Sequence, residues 1–143
     1  MAISPEDRFW AKVDKSDSCW LWTGSKANGY GQFWPSKKMP RVRVHRYSYE
    51  LIRGPIPTGL QLDHLCRIRH CVNPEHLEPV TGRMNILRGN GPPALNASKL
   101  VCSRGHAFTL ENTLWRCAGK WRECRQCARI SLRRFREKKG ETK

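Results

Sequence analysis

The stretch LDHLCRIRHCVNPEHLEPVTGRMN, residues 62–85, gathers side chains that can bind metal and move protons. Cys66, Cys71 and His76 follow the pattern C-x4-C-x4-H. Thiolate and imidazole are the donors tetrahedral zinc prefers, and this spacing lets one knuckle supply three of them. A fourth ligand is required. Cys19 is the candidate, because an upstream hairpin can fold back against the knuckle; His70 and Cys117 are the rivals. Asp63, His64 and Asn85 are surplus to that site, since a closed structural zinc site has four ligands and no vacancy. The ion would clip the strand ending at His64 to the helix carrying Asn85, so that the three side chains converge. Carboxylate and amide oxygens suit a hard cation such as Mg²⁺. A neutral imidazole can take a proton from an attacking water. Together these groups suit phosphodiester hydrolysis.

A second set follows in the tail. Cys102, His106, Cys124 and Cys127 read C-x3-H and then, after a gap, C-x2-C, whose two thiolates can grip one ion from a single turn. Gly105 stands where such a knuckle needs a tight turn. Cys117 is left over, either as a substitute for His106 or as a free thiol. Seven cysteines, an odd number with tight spacings near histidine, favour metal ligation in a reduced compartment over a disulfide scaffold.

The elements that must position these groups are short. CWLWTG (19–24) and GYGQFW (29–34) read as the two arms of a hairpin around SKANG. In RVRVH, Val42 and Val44 should face inward while Arg41, Arg43 and His45 face out as a cationic stripe. A helix over RYSYELIR should stop at Gly54 and Pro55, and LQLDHL is extended. The helix carrying Asn85 takes Thr81 as N-cap and Gly89 as terminator. GNGPPALNAS has the composition of a linker. The tail ends in CARISLRRFREKKG, a helix with Ala128, Leu132 and Phe135 as a narrow apolar stripe among arginines. Six tryptophans are read as filling a small core, and His45 and His70 as surface or packing residues.

The chain of 143 residues carries a net charge of +15, and residues 99–143 alone hold 13 Lys/Arg against 4 Asp/Glu. Such an excess points to a polyanion, most often nucleic acid. No hydrophobic run is long enough to span a membrane, and the first residues lack the apolar stretch of a signal peptide. A cytoplasmic protein is expected. A small, polar chain buries little surface and needs staples beyond its core.

DHLC with C-x4-C-x4-H, then HLEPVT and Asn85, resembles the ββα-metal endonucleases of the HNH family, phage and homing enzymes, with the zinc knuckle of the related His-Cys box enzymes. RFWAKV, CWLWTG, GYGQF and HRYSYELIRGPIP are similar to the lead-in of phage HNH proteins, and CSRGH with ECRQC to a zinc appendage often attached to them. The resemblance implies an α+β fold. A zinc-stapled ββα-metal nuclease core would occupy residues 1–90, a linker 91–98, and a basic zinc-binding, DNA-binding tail 99–143. It makes His64 the general base, and Asp63 and Asn85 the ligands of a single catalytic Mg²⁺. Cys19, Cys66, Cys71 and His76 match the zinc set. Arg46 stands where the family often has an arginine after a histidine, within reach of the scissile phosphate. Double-stranded DNA is the implied partner, with 5′-phosphate and 3′-hydroxyl products, acting within a host cell if phage-encoded, as monomer or homodimer. His76 occupies the place where many HNH proteins have the middle asparagine, and Asn73 in the Asn-Pro pair is read as shaping a turn. The runner-up is a two-zinc DNA- or RNA-binding protein without catalysis. A zinc-stapled protein-interaction domain is the third reading, and it gives no role to the charge.

Overall fold

A computed structural model describes residues 3–119 and 121–140. It divides into two compact units, Met1–Asn90 and Gly91–Lys143. Among the described residues the fold is α+β, with short helices and four small antiparallel sheets.

The first unit opens on helix α1 (Pro5–Trp10). Ser4 caps it by accepting the Asp7 N–H, and Pro5 fits the first turn, where no N–H partner is needed. Strand β1 (Val13–Asp14) pairs with β2 (Leu21–Trp22). Strands β3 (Lys26–Ala27), β4 (Tyr30–Phe33) and β5 (Val42–Arg43) form a three-stranded sheet. The expected hairpin is therefore split: residues 30–33 pair with Lys26–Ala27, while Leu21–Trp22 turn to β1. Asn28 and Gly29 close the β3–β4 turn at φ 53° and 81°, a left-handed pair that Asn and Gly tolerate best. Helix α2 (Val44–Arg53) begins earlier than the RVRVH alternation predicts, so Val44 and His45 are helical and His45 is buried instead of facing out. Gly54, at φ 88°, ends it as expected.

Strands β6 (Leu60–His64) and β7 (Leu77–Thr81) then form an antiparallel hairpin in register from Leu60↔Thr81 to His64↔Leu77. A 3₁₀ turn over Pro74–His76 leads into β7, and α3 (Gly82–Arg88) follows it. Thr81 caps α3 by accepting the Met84 N–H, and Gly89 terminates it. The strand–strand–helix order places the residue 62–85 stretch on one continuous unit.

The core holding this unit is aromatic. Phe9, Trp22, Phe33, Val44 and Val72 are fully or nearly buried, with Trp10, Val13, Trp20, Val42 and Tyr47 packed against them. Phe9 stacks on Trp22 with ring centroids 5.2 Å apart and meets Phe33 edge-on at 5.4 Å. Gly31 lets β4 pass against Trp22 and Val44, because a Cβ there would collide with both side chains. Only three of the six tryptophans serve this core; Trp34, Trp115 and Trp121 are exposed, which corrects the core-filling expectation.

The second unit starts with helix α4 (Pro92–Ser98), where the composition suggested a linker. Two prolines at its N-terminus are helix-compatible because their missing N–H groups fall in the first turn. Strands β8 (Thr113–Arg116) and β9 (Trp121–Cys124) pair as a hairpin, and α5 (Arg125–Lys138) follows directly. Its apolar stripe is only partly covered, with Ala128 half-buried and Leu132 and Phe135 exposed.

Candidate functional site

The knuckle between β6 and β7 is pinned to the aromatic core by backbone bonds that sequence spacing does not reveal. The Trp22 N–H donates to the His70 carbonyl at 3.0 Å, and the Val72 N–H to the Trp20 carbonyl at 2.8 Å. The Ser48 hydroxyl, buried on α2, donates to the Val72 carbonyl at 2.6 Å. Asn73 caps the 3₁₀ turn by accepting the Glu75 N–H and donates to the Ser18 carbonyl at 2.8 Å. It thus shapes a turn, as its Asn-Pro context predicts, and also ties that turn to the residue before Cys19.

These bonds bring Cys19, Cys66, Cys71 and His76 together. Their donor atoms all lie within 4.8 Å of one another, with Cys19 Sγ 3.5 Å and Cys71 Sγ 3.7 Å from His76 Nδ1. Burial, then the neighbouring Cys66 thiol, raises the Cys19 pKa; burial first of all pushes Cys71 up to about 12. Crowded thiols of this kind ionise readily only when a cation joins them. His70 and Cys117 lie outside this group.

In the second unit, Cys102, His106, Cys124 and Cys127 form a matching group within the same limit. His106 Nδ1 lies 3.3 Å from Cys127 Sγ, and Cys102 Sγ is 3.5 Å from both. Gly105 sits at φ 80° in the turn that returns His106 to Cys102. Asn112 was not singled out by sequence, yet its amide donates to the Ala107 carbonyl and the Cys124 sulfur and accepts the Gln126 N–H. A lone Asn in a loop carries no spacing signal. All seven cysteines are free thiols, and Cys117 is exposed. Each Cys/His group could hold a metal ion.

Asp63 and His64 end β6, buried at 3% and 6% exposure. Asp63 Oδ1 accepts from Arg67 Nη1 at 2.7 Å, while Oδ2 has no hydrogen-bond partner and faces Arg88 Nη1 at 3.6 Å, an ion-pair distance. His64 Nε2 is likewise buried without a partner. Burial lowers the His64 pKa, opposed by a hydrogen bond to the Cys71 main chain and by the Asp63 charge. Asn85 is half-buried on α3 and donates to Gln61 Oε1 at 3.2 Å, two residues before Asp63 on β6. The helix therefore docks on the strand through Asn85 and Gln61, and no hydrogen bond joins Asn85 directly to Asp63 or His64. Arg46 lies on the exposed side of α2, 4.0 Å from Glu50.

Sequence reasoning undervalued His45. Its ring packs edge-on against His64 with centroids 4.8 Å apart, beside Tyr30 at 5.6 Å, and its Nδ1 is buried without a partner. Burial above all, with His64, Arg46 and Arg43 adding to it, pushes the His45 pKa down to about 3. The RVRVH alternation hid this because the helix starts at Val44. Arg43 is half-buried too, donating to the Ala27 carbonyl and lying over the Tyr30 ring, so the stripe is not wholly solvent-facing.

Residues 42–86 match the HNH endonuclease family. The matched span runs from β5 into α3 and encloses Asp63, His64, Asn85 and three of the four donors of the first Cys/His group. Two phage proteins are similar. Protein 7.7 of Escherichia phage T7 is 39% identical over 70 residues, 48% of this chain and 52% of that protein. The uncharacterized gene 5.3 protein of Enterobacteria phage T3 is 44% identical over 46 residues, 32% of this chain and 46% of that protein. The chain thus spans about half the length of the curated relatives it matches. No solved structure matches. Among the described residues, no helix is long and apolar enough to cross a membrane.

Proposed function

We propose that the chain is a Mg²⁺-dependent endonuclease that hydrolyses phosphodiester bonds of double-stranded DNA, with His64 as general base. The observation that carries this reading is that two consecutive buried residues each hold a side-chain atom without a hydrogen-bond partner: Asp63 Oδ2, which faces Arg88 at 3.6 Å, and His64 Nε2. Leaving a buried polar atom unsatisfied costs about 1–3 kcal/mol, and such atoms concentrate where a ligand completes them.

Asp63 Oδ2, held only by the 3.6 Å ion pair to Arg88, and the amide oxygen of Asn85 on α3 are donors a hard cation accepts. When bound there, a divalent ion would supply Lewis-acid stabilisation of the phosphoryl and departing oxygens. His64 acts on the water. Its neutral imidazole accepts a proton at Nε2 as the water oxygen bonds to phosphorus and the bond to the 3′ oxygen breaks; the departing oxygen takes a proton from solvent, leaving 5′-phosphate and 3′-hydroxyl ends. The hydrogen bond to the Cys71 main chain would hold the ring in place. Arg46, on the exposed side of α2, is assigned to the scissile phosphate.

Each Cys/His group is assigned a structural zinc. Bonds of about 2.0–2.3 Å in a tetrahedral shell set ligand atoms roughly 3.3–3.8 Å apart. The Sγ–Nδ1 separations of 3.5 and 3.7 Å in the first group and 3.5 and 3.3 Å in the second fall in that range. The phage origin of the relatives fits action within a host cell.

The test is supercoiled plasmid incubated with Mg²⁺ and either the parent chain or His64→Ala. Nicked or linear product is expected from the parent, at a rate about 10²–10⁴-fold above the variant, with DNA retained equally by both. Equal cleavage by both would remove His64 from its role. Retention of DNA without cleavage by the parent would establish the non-catalytic two-zinc binder instead.

A further inference from the structure

A tryptophan that serves folding packs into a core, as Trp22 does fully and Trp10 and Trp20 do in part in the first unit. Trp115 and Trp121 do not: they stand 58% and 63% exposed on the β8–β9 hairpin of the second unit. Register pairs Trp115 with Arg122 and Arg116 with Trp121. Successive cross-strand pairs point to opposite faces of a hairpin, so each face presents one open indole beside one arginine. Both arginines are already engaged. Arg122 donates to the Asn96 and Lys99 carbonyls and lies 4.1 Å above the Phe108 ring, while Arg116 pairs with Glu123 at 3.0 Å. They anchor and stiffen the hairpin, and the indoles remain as uncommitted aromatic surface.

We propose that the exposed indole on each face of this hairpin is a stacking site for an unpaired nucleobase of a single-stranded nucleic acid, with α5 gripping the phosphates. The proposal rests on the reading of nucleic acid as the chain's partner and names the form this unit takes. Charge complementarity selects that partner over a neutral protein surface. Helix α5 begins at Arg125, directly after β9, and carries Arg129, Arg133, Arg134, Arg136 and Lys138. Exposed aromatics interleaved with cations follow the two needs of a single strand, a π-face for each base and positive charge for its backbone. In a duplex the bases are already stacked on one another and offer no free face to an indole.

The test titrates the full chain with a labelled single-stranded oligonucleotide of about 12 nucleotides and with the duplex of the same length. Parent, Trp115→Ala, Trp121→Ala and the conservative Trp115→Phe and Trp121→Phe are compared by fluorescence anisotropy. Each alanine variant should weaken single-strand binding about tenfold, each phenylalanine variant should restore most of it, and duplex affinity should move less than twofold. Plasmid nicking should not change. An alanine variant with the parent's circular dichroism spectrum and undiminished single-strand affinity would overturn the proposal. Equal losses on both oligonucleotides would also overturn it, assigning the hairpin to backbone binding or to folding. Nicking reports on the first unit's chemistry separately, so either reading can fail while the other stands.

Discussion

The two Cys/His groups use the same donors, three thiols and one imidazole, in very different surroundings. The first lies beside a core of Phe9, Trp22, Phe33, Val44 and Val72, to which backbone bonds from Trp20 and Trp22 and the Ser48 hydroxyl tie its knuckle. In the second unit, the buried residues among those described are Ala94 and Cys124, one of them a donor itself. A metal ion in the first unit would act as a clip on a fold that has its own hydrophobic support, fixing the end of β6 where Asp63 and His64 stand. In the second it would be most of the interior. Identical ligand chemistry can therefore serve precision in one place and existence in another.

The largest effect should come from testing that asymmetry. In Cys127→Ser, the second unit should lose its fold, since ion binding supplies about 10–16 kcal/mol in small zinc modules. Amide hydrogen exchange should then show collapse of protection across β8, β9 and α5, while the Phe9–Trp22 region keeps its protection. Retained protection in the tail would mean the second unit has support beyond its metal group. The converse change is Phe9→Ala, which opens a cavity in the aromatic core and should cost the first unit about 3–5 kcal/mol in urea denaturation. The second unit's transition should not move.

A smaller effect sharpens the account of the first unit. His45 has a folded pKa of about 3 against an ordinary value of 6.5, so the unfolded chain binds the extra proton between those values. Stability from this residue is complete above about pH 6.5 and lost as pH falls toward 3, by about 1.4 kcal/mol for each pH unit once the unfolded imidazole is charged. His45→Phe should flatten that slope. Comparing urea midpoints at pH 7 and 5.5 in parent and variant checks it, because proton competition at the thiols is common to both. An equal pH dependence would place a charged His45 in the folded chain.

Much of the candidate site's geometry was legible because Cys/His clustering and helix capping are written in local spacing. Cys66, Cys71 and His76 sit close enough in sequence to announce a knuckle, and Thr81 and Gly89 bracket α3 by rules that act within a turn. What escaped depends on partners distant in sequence. The split of the N-terminal hairpin follows from β2 choosing β1 over β4, a choice made by burying Trp22 against Phe9. His45 was misplaced because alternation over five residues looks like a strand until the core claims Val44 as the start of a helix. The helix over Pro92–Ser98 was masked by prolines that read as a linker but fall where a first turn tolerates them. Asn112 had no signature at all, since its role lies entirely in where the loop carries it.

The central claim is that the end of β6 is a hydrolytic site in which Asp63 serves a divalent cation. The most direct measurement is the rate of plasmid nicking against Mg²⁺ concentration for the parent and for Asp63→Asn. The account predicts a saturating, Mg²⁺-dependent rate in the parent and a loss of about 10²-fold or more in the variant, in line with removing a group that holds the stabilising charge at the reacting centre. A variant that nicks at the parent's rate with the same Mg²⁺ dependence would contradict it.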